Sequence, residues 1–451
     1  MYKQKLRAIL CLLLTIIQIT KVQCISVQAR EYDGVQMVEG VVPPSEQTIV
    51  FDIEDTTKNP YTKITNGLSR LWVGEEHRFT LAVNQRESVS VKWSSTDEAV
   101  AVITPDTGEL TAVAPGRVRI VATDFANHVI DSCMLEVLAV PDIPEIPAEW
   151  YEVSAQLGTS LELKEECLLE LAERSLVRFP DVINGEAVHG IKGGPWWKYE
   201  VEVLQFPSEM QMTGYENWVV DELMFYENTQ VINWVDFEHL RCLHLPEGVI
   251  TLADCFSSDD LQETRIPASV KYIGHSLLSE RKQGLACGKQ VSFCVDGNNT
   301  NYYSLFGVLF SYPFYEEGKQ EHYSLDTASL VEVACGCNML LAYPASNSTE
   351  VYIVPDGVEK IGAKAFHDTV ALKKVILPET VTALGVGAFW NCAGLEEIVI
   401  PASVTEFEGD EHTGLSVMEG EEMLQSITII TPAGSAAEAY AIEYGIKYRN
   451  E

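Results

Sequence analysis

The spacing of apolar positions changes several times along the chain, and each change marks a segment. Residues 1–7 carry Lys3, Lys5 and Arg7 ahead of an apolar run over residues 8–19. A basic start followed by a short apolar core is the pattern of a secretory signal, and the run falls below the ~20 residues that a membrane span needs. Cleavage fits after Cys24 or after Ala29. Ala29 fits better, so residues 1–29 read as a signal peptide. An uncleaved anchor helix is one alternative. A lipid on Cys24 is another, although Lys21 and Gln23 stand where a lipoprotein signal wants small or aliphatic residues. No second hydrophobic span follows, and no wall-anchoring motif is visible before Glu451, so secretion or loose surface attachment is expected.

Residues 30–66 read as an extended leader with one short strand over 48–53. Within 67–140 the pattern becomes short alternating segments bounded by turns, at 79–83, 89–93, 100–103, 110–113, 117–122 and 133–137. Alternation over short strands with turns every 8–12 residues predicts a β-sandwich. Pro105, Asp106, Thr107 and Gly108 form a turn between two of the strands, and Trp93 is the expected core filler. Pro141, Pro144 and Pro147 then stand three residues apart, which favours an extended, semi-rigid linker over 141–147. Residues 148–239 are the least regular. Leu161, Cys167, Leu168, Leu171 and Leu176 lie near helical spacing and predict one amphipathic helix over 161–176.

From residue 240 to 430 an internal repeat appears. Pro355, Pro378 and Pro401 recur every 23 residues. Val358, Val381 and Val404 follow at one offset; Ile361, Leu384 and Phe407 at the next. Gly362 and Gly385, Ala365-Phe366 and Ala388-Phe389, and Leu372 and Leu395 complete the unit. Glu408 replaces the glycine in the third copy. Pro246 with Val249 and Leu252, and Pro267 with Val270 and Ile273, are earlier copies. A period of 20–29 residues with aliphatics at fixed offsets predicts a solenoid whose units bury their apolar positions by stacking. Residues 431–451, with Ser435, Ala436, Ala437 and Ala441, read as a small helical cap on its last coil. The pattern breaks at 281–295 and 311–330, so interruptions are expected there.

These residues carry two resemblances. Val73-Gly74-Glu75, the run Val91-Lys92-Trp93-Ser94-Ser95, and Gly108-Glu109-Leu110-Thr111-Ala112-Val113 with Ala114-Pro115-Gly116 resemble the bacterial Ig-like group 2 domain. That family implies a spacer or adhesive module on secreted and surface proteins. The 23-residue unit resembles the BspA-like leucine-rich repeats, with Cys392 on that family's cysteine position and Thr369 replacing it one copy earlier. Asn298 to Phe310, Leu340 to Pro344 and the ending around Gly434 and Tyr440 strengthen the likeness. The expected fold class is therefore multidomain: an all-β Ig-like sandwich plus a leucine-rich-repeat solenoid, rich in strands with short helices and turns.

Composition narrows the partners. Sixty-six acidic against 31 basic residues give a net charge of -35 and a pI near 4.5, which repels phosphate backbones and anionic lipid, so nucleic acid and membrane surfaces are poor partners. Nine cysteines remain outside the signal region, an odd number in a chain long enough to fold on its core, so a dense disulfide framework is not expected. Cys335-Gly336-Cys337 lacks a second ligand pair and a nearby His. No paired-histidine metal motif, nucleophile elbow, P-loop or dinucleotide fingerprint occurs. No catalytic, cofactor or metal residues are assigned. Five of the eight tryptophans fall within 150–234. Trp196 and Trp197, after Gly193-Gly194-Pro195, are weak ligand-binding candidates as a stacking platform, set against a packing role in a solenoid cap. The reading that follows is a secreted or surface bacterial protein that binds an extracellular protein or glycan by multivalent surface contact. In it the Ig-like domain holds the solenoid away from the cell. The contacting rows would include Lys373, Lys374, Glu396 and Glu397 beside Val375 and Ile398. A secreted enzyme with a site in 148–239, or a surface-layer component, is the alternative.

Overall fold

The computed structural model describes residues 49–51, 63–84, 91–124, 126–154, 159–192, 199–210, 212–213, 218–233, 239–253, 261–273, 292–313, 337–408 and 427–451. Residues 1–29, and with them the expected signal peptide, lie outside the described residues, as do Trp196 and Trp197.

The first domain is a sandwich. One sheet orders Arg70–Trp72, Val129–Leu138, Gly116–Thr123 and Lys92–Ser95, with the first pair parallel and the others antiparallel. The facing sheet orders Glu76–Arg78, Glu109–Ala112 and Ala101–Ile103. Alternation decides which side chains enter the core: along Gly116–Thr123, Val118, Ile120 and Ala122 are buried while Arg117 and Arg119 are exposed. Trp93 packs beside Phe79, ring centroids 5.6 Å apart, and fills the core as its spacing predicts. Gly108 is required where it stands, because its φ is +74° and a Cβ there would lie 2.9 Å from both the Phe79 carbonyl and the Trp93 ring nitrogen. Within the leader, Ile49–Phe51 pairs in parallel with Leu81–Asn84.

Beyond it runs a solenoid of two parallel strand rows. The row called here the strand face runs through Leu176–Arg178, Tyr199–Phe206, Trp218–Phe225 and Cys242–His244, then Glu263–Ile266 and Ser292–Val295. It resumes with Val351–Ile353, Lys374–Ile376, Glu397–Val399, Thr428–Thr431 and Lys447–Asn450. Short strands such as Lys360–Ile361, Ala383–Leu384 and Glu406–Phe407 form the second row. Stacking explains the invariant offsets of the repeat. Phe366 and Phe389 lie with centroids 5.0 Å apart and planes 11° apart, and Cys392 is buried with its thiol donating to the Phe366 carbonyl at 3.0 Å. A Cβ at Gly385 would come within 2.5 Å of the Ala363 nitrogen one coil back, so glycine sets the coil spacing. Glu408, at the equivalent position, keeps the coil-to-coil bond to the Leu384 carbonyl (2.9 Å) and turns its carboxylate onto Lys360 at 2.6 Å.

Two expectations are corrected. The single helix over 161–176 is instead the strand Ser160–Leu163, a 3-10 turn Glu165–Cys167, a five-residue helix Leu168–Ala172 and the strand starting at Leu176. Leu161 is fully buried by pairing with Ile191 in a parallel ladder, so stacking between coils overrides the helical spacing. The residues 292–295, expected within an interruption, form a face strand of their own. Among the described residues an antiparallel hairpin breaks the ladder, Tyr302–Leu305 and Val308–Ser311, turned at Phe306 and Gly307 with φ of 52° and 85°, while residues 314–330 of the second expected interruption lie outside the described residues. Tyr302 and Leu309 point into the upstream core and Tyr303 and Phe310 into the downstream one. Trp150 and Trp218, the described members of the tryptophan-rich segment, are core residues.

Residues 141–147 pack along the solenoid. Ile143 packs against Leu176, Val203 and Met224, Ile146 enters the upstream core, and the Ile146 N–H donates to the Arg178 carbonyl at 3.0 Å. The isoleucines between the prolines supply apolar surface that a solvated spacer would leave exposed.

At the C-terminus, the helix Ala436–Glu443 closes the last coil. The Glu438 N–H donates to the Ser435 hydroxyl at 3.1 Å and the Gly434 N–H to the Glu438 carboxylate at 2.5 Å, a capping box. Its Ala437 and Ala441 are fully buried against the last coil, and its Tyr440 stacks on Phe407 at 4.5 Å.

Candidate functional site

The face strands Lys374–Ile376 and Glu397–Val399 turn their middle residue inward and their flanking residues out, so the register builds two outward rows. Val375, Ile398 and Ile429 are inward and buried. This corrects the expectation that Val375 and Ile398 accompany the surface charges. Downstream, one outward row reads Val351, Lys374, Glu397, Thr428, Lys447, and the other Ile353, Ile376, Val399 and Arg449, with the fully buried Ile430 in register between the last two. Lys374 pairs with Glu397 at 2.9 Å and Glu397 with Arg449 at 3.4 Å, while Lys373 reaches Glu350 at 2.5 Å just outside the strands. Ile353, Ile376 and Val399 remain half-buried beside these charges. The face there is an apolar stripe, one side chain per coil at the ~4.8 Å strand spacing, bordered by ion pairs.

Upstream the same rows are covered by the Ig-like domain. Trp72 sets its edge on His244, ring centroids 5.7 Å apart. Arg265 donates to Glu75 at 3.2 Å, and also to the Glu76 carbonyl and the Glu247 carboxylate. The Ser69 N–H donates to the Glu263 carboxylate at 3.0 Å, the Cys294 thiol to the Gly67 carbonyl at 3.1 Å, and Asn66 to the Val295 carbonyl at 2.9 Å. The turn after the Ser292–Val295 strand completes the contact: the Arg78 N–H donates to Asp296 at 2.9 Å, and the Gly297 N–H to the Arg78 carbonyl at 3.0 Å. A Cβ at Gly297 would meet that carbonyl at 2.7 Å, so the close approach requires glycine.

Burial governs the charge states there. It pushes the His77 ring down to about 4, helped by Arg265 and opposed by Asp296, and pushes His244 down to about 4, again with Arg265. Both rings are therefore neutral at pH 7. The His77 Nε2–H faces the Asn66 carbonyl at 3.1 Å, which leaves Nδ1 as a lone pair 3.4 Å from the Asp296 carboxylate. Burial raises the carboxyls of Glu75, Glu247 and Glu263, although Arg265 pulls the first two back and bonds from Ser69 the third. For Arg265 burial pulls down, but Glu75 and Glu247 outweigh it and the guanidinium is held more firmly charged than usual.

Among the described residues no group of three or more His, Cys, Asp or Glu is placed to hold a metal ion. Six described cysteines, Cys133, Cys167, Cys242, Cys294, Cys337 and Cys392, are free thiols. Nothing in the sequence marks the Ig-like contact, because Glu75, His77, His244 and Arg265 are brought together across some 190 residues only by docking.

A strand-rich protein that combines an Ig-like sandwich with a repeat solenoid is the class these features define. Two family profiles agree. The one described as BspA type leucine rich repeat region matches residues 342–431 in six copies, and the one described as bacterial Ig-like domain (group 2) matches residues 71–129. The chain joins these two kinds of module in one polypeptide. It is similar to a leucine-rich repeat protein from Eubacterium ventriosum, 18% identical with a TM-score of 0.39, the match covering 61% of this chain and 68% of that one. It is also similar to a leucine rich cell surface protein from Faecalibacterium prausnitzii, 15% identical with a TM-score of 0.35, over 72% of this chain and 96% of that one. A third likeness is to the pneumococcal vaccine antigen PcpA, 11% identical with a TM-score of 0.33, over 67% and 96%. No curated protein matches the chain. BspA-type repeat proteins are typically surface or secreted proteins and typically non-catalytic. Among the described residues no helix is long and apolar enough to cross a membrane.

Proposed function

We propose that this is a secreted or cell-surface bacterial protein, without catalysis of its own, that binds an extracellular protein partner on the open downstream part of its strand face. The observation that carries this reading is the outward row Ile353, Ile376 and Val399, half-buried and bordered by the Lys374 and Glu397 charges. Aliphatic side chains in a fixed row reward a partner that brings apolar surface of its own, and the paired charges at the rim set register more than affinity. A glycan would call for aromatic stacking, and the row Ile353, Ile376 and Val399 carries none; the exposed Tyr448 lies on the terminal strand. Repetition across coils makes each contact small and their sum large, which suits a broad partner surface.

The mature chain on an array of extracellular-matrix proteins and glycans tests the proposal, with the Ile376→Glu variant beside it. Saturable protein binding that weakens at least tenfold in the variant is the expected result. Binding to glycans alone, or binding that the substitution leaves unchanged, sinks the assignment to this face. Concentration-dependent self-association without ligand binding favours a surface-layer component instead.

A further inference from the structure

We propose that the Ig-like domain is a releasable cover on the upstream strand face, an autoinhibitory contact that hinges at residues 139–142 and lifts without unfolding either domain. The idea that lifting exposes further binding surface rests on the reading of the strand face as the binding surface; the lifting itself does not.

The two cores are the first support. The sandwich core is built from its own residues, with Cys294 alone reaching in from the solenoid, and the upstream solenoid core contains no residue of residues 63–140. Apart from Cys294 and from Trp72, whose ring packs on His244, each domain buries its apolar surface by itself, so separation opens little shared core. What crosses the junction is mostly polar: Glu75, Ser69, Asn66 and the Arg78 backbone against Arg265, Glu263, Val295 and Asp296.

Strain in the polar network is the second support. Arg265 Nε and His77 Nδ1 are buried in the docked state without a hydrogen-bond partner among the described residues. Each would regain water on opening, and a desolvated ion pair contributes little net stability once its desolvation cost is counted. The docked state is therefore held closed by a network that carries its own penalty.

The connection is the third. Ile143 and Ile146 stay anchored in the solenoid, while Val140 is 55% exposed and Asp142 is also exposed, so the chain between Leu138 and Ile143 is free to swing.

Cys294 reports the event. Its thiol lies under the cover on the Gly67 carbonyl, whereas Cys392, equally buried, lies in the downstream solenoid core far from any Ig-like contact. The test is native-state alkylation of the full mature chain with iodoacetamide, read by peptide mass spectrometry, together with hydrogen exchange on the Gly116–Thr123 strand. Cys294 is expected to label at least tenfold faster than Cys392 while the Gly116–Thr123 amides stay protected. Arg265→Gln, and independently Glu75→Gln, should each accelerate Cys294 a further tenfold or more and leave Cys392 unchanged. Equal rates for the two thiols in all three proteins overturn the proposal, as does labelling of Cys294 only in step with loss of protection in Gly116–Thr123. Because no ligand enters the experiment, its failure and the failure of the binding assignment are told apart.

Discussion

The upstream and downstream parts of the strand face share one backbone plan and differ in what stands on it. At equivalent outward positions the upstream strands carry His244, Arg265 and Cys294, the downstream ones Ile353, Ile376 and Val399. The upstream part is covered by the chain's own Ig-like domain through buried ion pairs; downstream, no other domain covers the aliphatic row among the described residues. A repeat fold thus fixes where side chains point, while the residue chosen at each outward position decides whether the surface is closed by the protein itself or left for something else.

The largest expected effect separates core from face. Phe366→Ala removes a fully buried ring stacked between Tyr343 and Phe389, and should lower downstream stability by about 3–5 kcal/mol in denaturant unfolding without changing Cys294 reactivity. An effect on the thiol of similar size would break the separation between the two regions.

Next comes pH. His77 faces Asn66, Asp296 and Arg265; His244 faces Trp72, Glu75 and Arg265. Both are held near 4 when docked, against an ordinary value of 6.5, so docking is unpenalised above pH 6.5 and weakens as the pH falls from 6.5 towards 4. Each ring contributes about 1.4 kcal/mol per pH unit in that window. The raised carboxyls of Glu75, Glu247 and Glu263 act in the opposite sense, favouring docking as acid neutralises them. A His77→Asn, His244→Gln variant isolates the histidines: its docking, followed by Cys294 labelling, should lose less than the wild type's between pH 6.5 and 4. Parallel pH profiles for the two proteins would show that the rings do not titrate with docking.

Smaller still is Ser435→Ala. Loss of the cap to Glu438 should cost about 1 kcal/mol in the last coil, seen as a lower Tm with the upstream part unchanged. The smallest change is expected at Lys373→Ala. Its pair with Glu350 is solvent-exposed and screened by water, so stability should hardly move while partner binding at the rim slows.

How much of this the sequence shows follows the regularity of the repeat. Downstream, from Val351 to Glu397, consecutive face strands pair at 23-residue steps, so prolines, glycines and aliphatics recur at constant offsets and the coil can be read directly. Upstream, paired strands stand 19 residues apart at Val203 and Glu222 but 29 apart at Glu263 and Ser292. Turns of variable length destroy the period while leaving the ladder intact, and the leucines of 161–176 then imitate a helix. Trp93, Gly108 and Cys392 were legible because each satisfies a local or repeating demand. Arg265 was not, because an arginine after Thr264 in a face strand looks like any solvent-facing charge until Glu75 is placed over it.

By itself the sequence determined the sandwich, the solenoid, the order in which they occur and the residues that fill the sandwich and the downstream coils, since burial of alternating and repeating apolar positions follows from periodicity alone. Only the tertiary structure decided that the Ig-like domain lies on the strand face and which stretch of that face stays open. Docking depends on a few polar groups distant in sequence, and their partners carry no period from which the contact could be read.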